Sequence, residues 1–213
     1  MVAPGQFLER PTLIPVGAQV LEGLSHRGEK RPGVLILPPP PDEGGSMDHV
    51  VAAEVAWAAA TRGFPTLRFN YRGVGASQGT RGRGVALEED ALAARMLLEE
   101  NIDAGGVYAV AVGGSARAAL WLMEREPGLA GMCFVSPVEV SAEDVARVTV
   151  PLLVLVGADD LRLPRVAFSE AVAQAGGRFE LVPGADQSFS KNLAQVGQLV
   201  AEHLGSNRFV VRS

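Results

Sequence analysis

Residues 107–123 read VYAVAVGGSARAALWLM, and this stretch decides the fold class. Its first six residues form an unbroken apolar run, which is typical of a strand buried on both faces of a parallel sheet. Two glycines and Ser115 follow, and a helical pattern begins at Ala116. The stretch therefore predicts a strand, a sharp turn and a helix, with Ser115 at the turn and lifted above the edge of the sheet.

The same alternation of apolar runs and helical patterns continues along the chain. We predict further strands at residues 33–37, 65–70, 129–135, 152–156 and 178–182. We predict further helices at residues 50–62, 85–101, 165–174 and 188–204. Strands that alternate with helices in this way indicate a doubly wound, mostly parallel α/β sheet.

The two ends of the chain extend this plan. Residues 13–26, LIPVGAQVLEGLSH, predict an N-terminal antiparallel hairpin added to the sheet. We therefore expect one domain over residues 1–213, with a core at about 17–204 and a tail at 205–213 that forms either a short extra strand or a mobile end. The segment between the strands ending near Val135 and starting near Pro151 is too short for a lid domain.

The amino-acid composition and net charge exclude some classes of protein. The chain has 213 residues, of which 47% are hydrophobic and 20% charged, as in a globular protein rather than a disordered one. A net charge of -5 argues against nucleic acid as a partner. Residues 1–15 contain no apolar core like that of a signal peptide, and no run is long enough to span a membrane, so we expect a cytoplasmic protein.

Metal and cofactor motifs are not apparent. The single cysteine, Cys133, lies in the apolar run GMCFV and excludes a disulfide framework. No spacing of Cys and His suggests a structural zinc site, and the glycine-rich residues 73–84 lack the order of a Walker loop. We therefore expect no cofactor and no metal.

Three segments at predicted strand ends resemble the small, lidless α/β-hydrolases that are often compared with dienelactone hydrolase. They are GGSMD at 44–48, RFNYRGVGASQG at 68–79 and VPLLVLVGADDLRLP at 150–164, and the resemblance extends from about residue 20 to residue 204. It implies that the nucleophile position is Ser115 and that the triad acid is Asp160, with Asp159 the weaker candidate. The order of these positions along the chain matches Ser…Asp…His.

The histidine position departs from the family. The family loop resembles PGADHFF, whereas this chain reads PGADQSF at 183–189, so the position falls on Gln187. A glutamine amide bridges hydrogen-bonding groups but does not titrate near pH 7, so it cannot accept the serine proton. Of the three histidines, His49 is the most plausible substitute, although a polar residue at a helix N-terminus needs no catalytic role.

The residues at the oxyanion-hole positions also depart from the family pattern. The resemblance implies one donor at the backbone N–H of Ala116 and another in the loop after the early strand. That loop reads PPPPDEGG at 38–45, and prolines such as Pro40 have no N–H, so a donor is available only from Asp42 onward. Asp42 and Glu43 either provide a carboxylate base or belong to a loop that is exposed to solvent.

The sharp turn that carries Ser115, the nucleophile elbow of this family, also departs from the family pattern. It has an arginine two positions after the serine, where a very small residue is expected. We hypothesise that this residue, Arg117, reaches the carboxylate of Asp160, which would otherwise be buried and unpaired. Three departures at one site favour a hydrolase fold with a degenerate Ser-Gln-Asp triad, a pseudoenzyme that binds a small ligand or a partner protein. The alternative is a weak or specialised serine hydrolase of small esters or thioesters that uses Ser115.

Overall fold

The computed structural model describes residues 8–102 and 105–206. Its eight strands are β1 Arg10–Val16, β2 Gln19–His26, β3 Gly33–Leu37, β4 Thr66–Phe69, β5 Val107–Val112, β6 Leu129–Val135, β7 Leu152–Gly157 and β8 Arg178–Val182. Its α-helices are α1 Val50–Thr61, α2 Val85–Glu100, α3 Ala116–Arg125, α4 Ala142–Ala146, α5 Arg165–Gln174 and α6 Leu193–Gly205.

The strands form one sheet in the order β1-β2-β4-β3-β5-β6-β7-β8. Strand β2 pairs antiparallel with both β1 and β4, and every other neighbouring pair is parallel. The predicted fold class is therefore confirmed: a doubly wound, mostly parallel sheet that carries an antiparallel hairpin at its N-terminal edge.

Helices cover both faces of the sheet. Helices α1 and α6 pack on one face, and α2, α3 and α5 pack on the other. Strands β3, β5, β6 and β7 are consequently buried along their whole length, which explains why their sequences are apolar runs without alternation. Because neighbouring parallel strands end at the same edge, the loops after these strands meet there.

The sequence prediction differs from the structure near the C-terminus. Helix α6 begins at Leu193 rather than at residue 188, because the preceding residues form a local turn. In that turn, the backbone N–H and hydroxyl of Ser188 both donate to Asp186 Oδ1, and Phe189 has a φ of 52°. Of the predicted tail 205–213, residues 207–213 lie outside the described part of the chain.

The connection between β6 and β7 contains one short helix, α4, capped by Ser141 and Asp144. No lid is inserted in this connection. Within residues 8–102 and 105–206, no helix has the length and apolarity needed to span a bilayer.

Candidate functional site

The chain turns from β5 into α3 at Gly113. This residue directly follows the strand and has a φ of 61°, a conformation that costs little only for glycine. Residues 113–115 form a short 3₁₀ turn, and Ser115 already has helical angles, with φ −68° and ψ −9°. The residue on the sharp bend is therefore Gly113, and Ser115 lies two positions beyond it.

The hydroxyl of Ser115 is buried and fully engaged. Its side chain is 0% exposed, and its Oγ donates to the carbonyl oxygen of Pro38 at 2.5 Å. The phenol of Tyr71 lies 2.9 Å from the same Oγ and donates to it, because the serine proton is already used. Burial raises the pKa of Tyr71, so the phenol stays protonated.

The prediction that Ser115 is lifted above the sheet edge is therefore wrong. The serine is in the first turn of the helical segment and points among the β3 and β4 loops. The spacing of the GGSAR motif predicts the bend at its serine. The physical signal was the double glycine directly after the strand, since only the bend demands a positive φ.

Ala116 was the expected oxyanion donor, and the structure assigns its N–H elsewhere. That N–H is bonded to the carbonyl oxygens of Gly113 and Gly114 within the turn. The backbone N–H next to the bend belongs to Gly114, and it donates to Oε1 of Glu43 at 3.0 Å. The expectation for Ala116 is wrong because the bend comes two residues earlier than the motif suggests.

Glu43 covers the bend. A Cβ atom built on Gly113 would lie 2.4 Å from Glu43 Oε2, so the carboxylate occupies the space into which a side chain at 113 would point. Burial is the main cause that raises the pKa of Glu43, and repulsion from Glu139 and Asp42 adds to it. The Gly114 N–H and the Arg162 charge lower the pKa and offset part of this effect.

The proline loop positions Glu43. Residues 41–43 form a 3₁₀ turn in which Pro40 O accepts from the N–H groups of Glu43 and Gly45, at 3.0 and 3.1 Å. Pro40 is buried and lies against the bend, where its Cγ would be 3.1 Å from a Cβ on Gly114. Asp42 points away and pairs with Arg83 at 3.1 Å. Glu43, rather than Asp42, is therefore the residue of this loop whose carboxylate lies at the bend, and the carboxylate of Glu139 lies nearby, 3.5 Å from a Cβ on Gly114.

Asp160 lies at the carboxyl end of β7 and is paired with Arg162. The carboxylate is 2% exposed, and it accepts hydrogen bonds from Nε and Nη2 of Arg162, both at 2.9 Å. These bonds are the main cause that lowers the pKa of Asp160. The hypothesis that Arg117 fills this role is wrong: Arg117 is exposed on α3, and the nearer residue Arg162 supplies the planar fork.

Gln187 does not complete a triad. Its side chain is exposed in the loop before α6. In the part of the chain that the structure describes, no hydrogen bond links it to Ser115 or Asp160. The three predicted triad residues therefore lie in three different environments: the serine is buried, the aspartate is paired with an arginine and the glutamine is exposed.

In the described ranges, no hydrogen bond joins His49 to Ser115. His49 precedes the first residue of α1, burial lowers its pKa, and its Nδ1 has no hydrogen-bond partner in the described ranges. The hydroxyl of Ser115 is bonded to Pro38 and Tyr71 instead. Across residues 8–102 and 105–206, no group of three or more His, Cys, Asp or Glu side chains is arranged to hold a metal ion.

Solved structures provide the comparison with known proteins. A structure described as an alpha-beta serine hydrolase homologue from Coxiella burnetii is 28% identical, with a TM-score of 0.79 over 92% of this chain and 97% of the other. A serine hydrolase without a lid from Xanthomonas campestris is 17% identical, with a TM-score of 0.77 over 92% and 94% of the two chains.

An esterase from Pyrococcus furiosus is 12% identical, with a TM-score of 0.76 over 99% of this chain and 94% of the other. At these lower identities the similarity concerns the fold alone. Neither a protein-family model nor a curated protein sequence matches the chain.

Proposed function

Since the chain has the α/β-hydrolase fold, we propose that it carries out no Ser-His-Asp catalysis and uses the carboxyl edge of its sheet to bind a small ligand or a partner protein. The observation that carries the proposal is the residue at the bend. An elbow nucleophile must project from the strand-to-helix bend, and here the bend is Gly113. Glycine has no side chain with which to attack a substrate.

The environment of Ser115 supports the proposal. A serine attacks a carbonyl only when its oxygen is accessible and a base accepts its proton. The hydroxyl of Ser115 is buried, and its proton points at a peptide carbonyl, which is not a base. A substrate would have to displace both Pro38 and Tyr71 before it met this oxygen.

The oxyanion donors are also committed. In this fold the N–H of the residue after the nucleophile stabilises the developing negative charge. If Gly113 holds the nucleophile's place, that donor is the N–H of Gly114, and Glu43 already accepts its hydrogen bond. A fixed carboxylate at this place also repels a second negative charge.

The exposed residues beside Arg162 favour a macromolecular partner over an enclosed small ligand. Arg162 is itself half exposed, and the apolar residues Leu161 and Val166, one and four positions away along the chain, are 85% and 74% exposed. Apolar side chains that surround a charged group are typical of contact surfaces. The absence of a lid between β6 and β7 leaves this surface accessible.

Turnover of an activated acetate ester tests the proposal. We expect the wild-type protein and a Ser115→Ala variant to hydrolyse the ester at the same background rate. We also expect Gln187→His to restore little, because the bend and the donor loop are unchanged. Turnover that disappears in Ser115→Ala would instead favour the alternative, a specialised hydrolase of small esters or thioesters.

A further inference from the structure

A cleft lies at the edge of the sheet opposite Gly113. It is formed where β3 and β4 begin and where α1 and α2 end, and its volume is about 1190 Å³. Pockets for small molecules usually measure about 300–1,000 Å³, so this cleft has room for an organic ligand larger than a single phosphate ion. The proposed function does not involve it.

Basic side chains line this cleft. They are Arg10, Arg27, Lys30, Arg31 and Arg62, and the acidic side chain among the lining residues is Glu29. The whole chain has a net charge of -5, so the cleft opposes the overall charge. A concave site with one sign of charge concentrates field lines and attracts ligands of the opposite sign.

Most of these cations are not neutralised by the protein. Within the described residues, Arg10, Arg27, Lys30 and Arg62 form no ion pair with an acidic side chain. Three arginines outside the cleft are paired: one on β4, one in the loop after β4 and one on α2. Arg68, Arg72 and Arg95 all have carboxylate partners. The cleft therefore contains a local excess of positive charge that is available to a ligand.

The wall that carries Arg27 and Lys30 is packed against the rest of the fold. The N–H of Lys30 donates to Gly63 O at 3.0 Å, and a Cβ on Gly28 would lie 2.4 Å from the same oxygen. The ammonium of Lys30 lies 5.7 Å from the centre of the Phe64 ring. Because this contact already restricts the Lys30 side chain, less conformational entropy of that side chain is lost when a ligand binds.

Besides the carboxylate of Glu29, which lines the cleft, two features at this edge oppose an anion, and each is partly offset by bonds within the protein. Helices α1 and α2 end here, and a helix C-terminus carries roughly half a negative charge. Some of these carbonyls are already bonded, since the N–H groups of Arg62 and Gly63 cap α1 and that of Asn101 caps α2. The nearby carboxylate of Glu9 is bonded to Arg68.

We propose that this cleft binds an organic ligand through a phosphate or diphosphate group. Arginine forks match phosphate oxygens in geometry and charge, and a diphosphate spans several cations at once. Arg27 and Arg62 lie on different segments that border the cleft and are both exposed, so they are the residues chosen for substitution. The floor contains a neutral polar pair, in which Nδ1 of His26 lies 2.8 Å from Thr66 Oγ1.

Calorimetric titration with pyrophosphate tests this site. In about 50 mM salt, where exposed charges are weakly screened, we expect the wild-type protein to bind pyrophosphate. Arg27→Ala/Arg62→Ala should weaken binding by about 10-fold or more, since hydrogen bonds to charged groups are lost at two positions. The matched control is Arg81→Ala/Arg117→Ala, which removes the same charge outside the cleft and should change the affinity by less than about 2-fold.

Three results would overturn the proposal. They are no binding of pyrophosphate by the wild-type protein, equal weakening by the two double variants, and citrate binding as tightly as pyrophosphate. The third result would show that the cleft selects charge and not phosphate. If Arg27→Ala/Arg62→Ala fails to fold, Arg27→Gln/Arg62→Gln keeps the side-chain volume and provides the same comparison. Each outcome is independent of any result at Ser115.

Discussion

The phenolic oxygen of Tyr71 lies 2.9 Å from Oγ of Ser115, and both side chains are buried. With the bond from Ser115 to Pro38 O, this contact joins the loops after β3, β4 and β5. A serine used in this way holds loops together. Measurements of stability therefore test the structural role of Ser115, and measurements of reactivity test whether it acts as a nucleophile.

Ser115→Ala should destabilise the protein. The change leaves the Pro38 carbonyl and the Tyr71 hydroxyl buried without partners, which costs about 1–3 kcal/mol in the free energy of unfolding. Tyr71→Phe should cost about 1 kcal/mol, because Ser115 keeps its bond to Pro38. Urea denaturation measures both values. The control is Ser169→Ala on the exposed face of α5, with an expected change within about 0.5 kcal/mol. An equally small change for Ser115→Ala would contradict the structural role.

Gly113→Ala tests whether Glu43 fills the space at the bend. The new Cβ would lie 2.4 Å from Glu43 Oε2, and the alanine would have to adopt a φ of 61°. Gly176→Ala is the matched control, since Gly176 has a φ of 69° with nothing within 4 Å of a Cβ. We expect about 1–2 kcal/mol for the control, from φ alone. At 113 we expect about 1 kcal/mol more, because the Glu43 carboxylate must swing away and gives up its bond from the Gly114 N–H.

The excess loss at position 113 should disappear when the clash is removed. In a Glu43→Ala background, Gly113→Ala should cost about as much as Gly176→Ala, that is about 1–2 kcal/mol. A double-mutant cycle by urea denaturation gives this coupling. A coupling of zero would mean that Glu43 does not occupy the space over the bend.

Arg162→Gln should destabilise the protein near neutral pH, because it leaves Asp160 buried without its cation. Breaking a fully buried pair costs about 3–5 kcal/mol, and the half-exposed Arg162 reduces this to about 1–3 kcal/mol. The control is Arg147→Gln, which breaks a pair on the surface of α4 with Asp144 and should cost less than about 1 kcal/mol.

The loss in Arg162→Gln should depend on pH. The folded pKa of Asp160 is lowered below its usual value of 3.8, so the stabilisation is present above that value and is lost as the pH falls through the folded pKa. The difference in unfolding free energy between wild type and Arg162→Gln should therefore shrink below the usual pKa of Asp. A difference that stays constant through this range would exclude the ion pair as its source.

Glu43→Gln should change the stability at neutral pH in the opposite direction, as a gain. The folded pKa of Glu43 is raised above its usual value of 4.5, so its contribution to stability is greatest below that value and falls as the pH rises through the folded pKa. A glutamine keeps an acceptor for the Gly114 N–H without the charge. Thermal unfolding should therefore show a gain for Glu43→Gln at neutral pH that vanishes under acidic conditions. Asp42→Asn serves as the control for removal of an adjacent charge.

The sheet was predictable because its signals are local. Unbroken apolar runs such as that of β5 can be buried on both faces only when helices lie on each side, and this fixes the fold class. The start of α6 was not predictable, because Ser188 and Asp186 form a side-chain turn that competes with helix formation.

The candidate site was harder to predict, because its contacts come from residues far apart in the sequence. The Gly114 N–H and the Glu43 carboxylate are 71 positions apart, and no local pattern links them. The partner of Asp160 is Arg162, two residues away, whereas the serine motif suggests Arg117. A spacing rule placed the bend on Ser115, but the backbone needs a positive φ one residue after the strand, and Gly113 supplies it.

The most direct test of the central claim is reaction with an excess of a serine-directed fluorophosphonate, followed by intact-mass measurement. We expect the mass of the wild-type protein to remain that of the unmodified chain, while an active serine hydrolase in the same tube is labelled. The Ser115→Ala variant should behave in the same way as the wild type. A stoichiometric adduct on Ser115, absent from Ser115→Ala, would contradict the claim that this hydrolase fold has no working nucleophile.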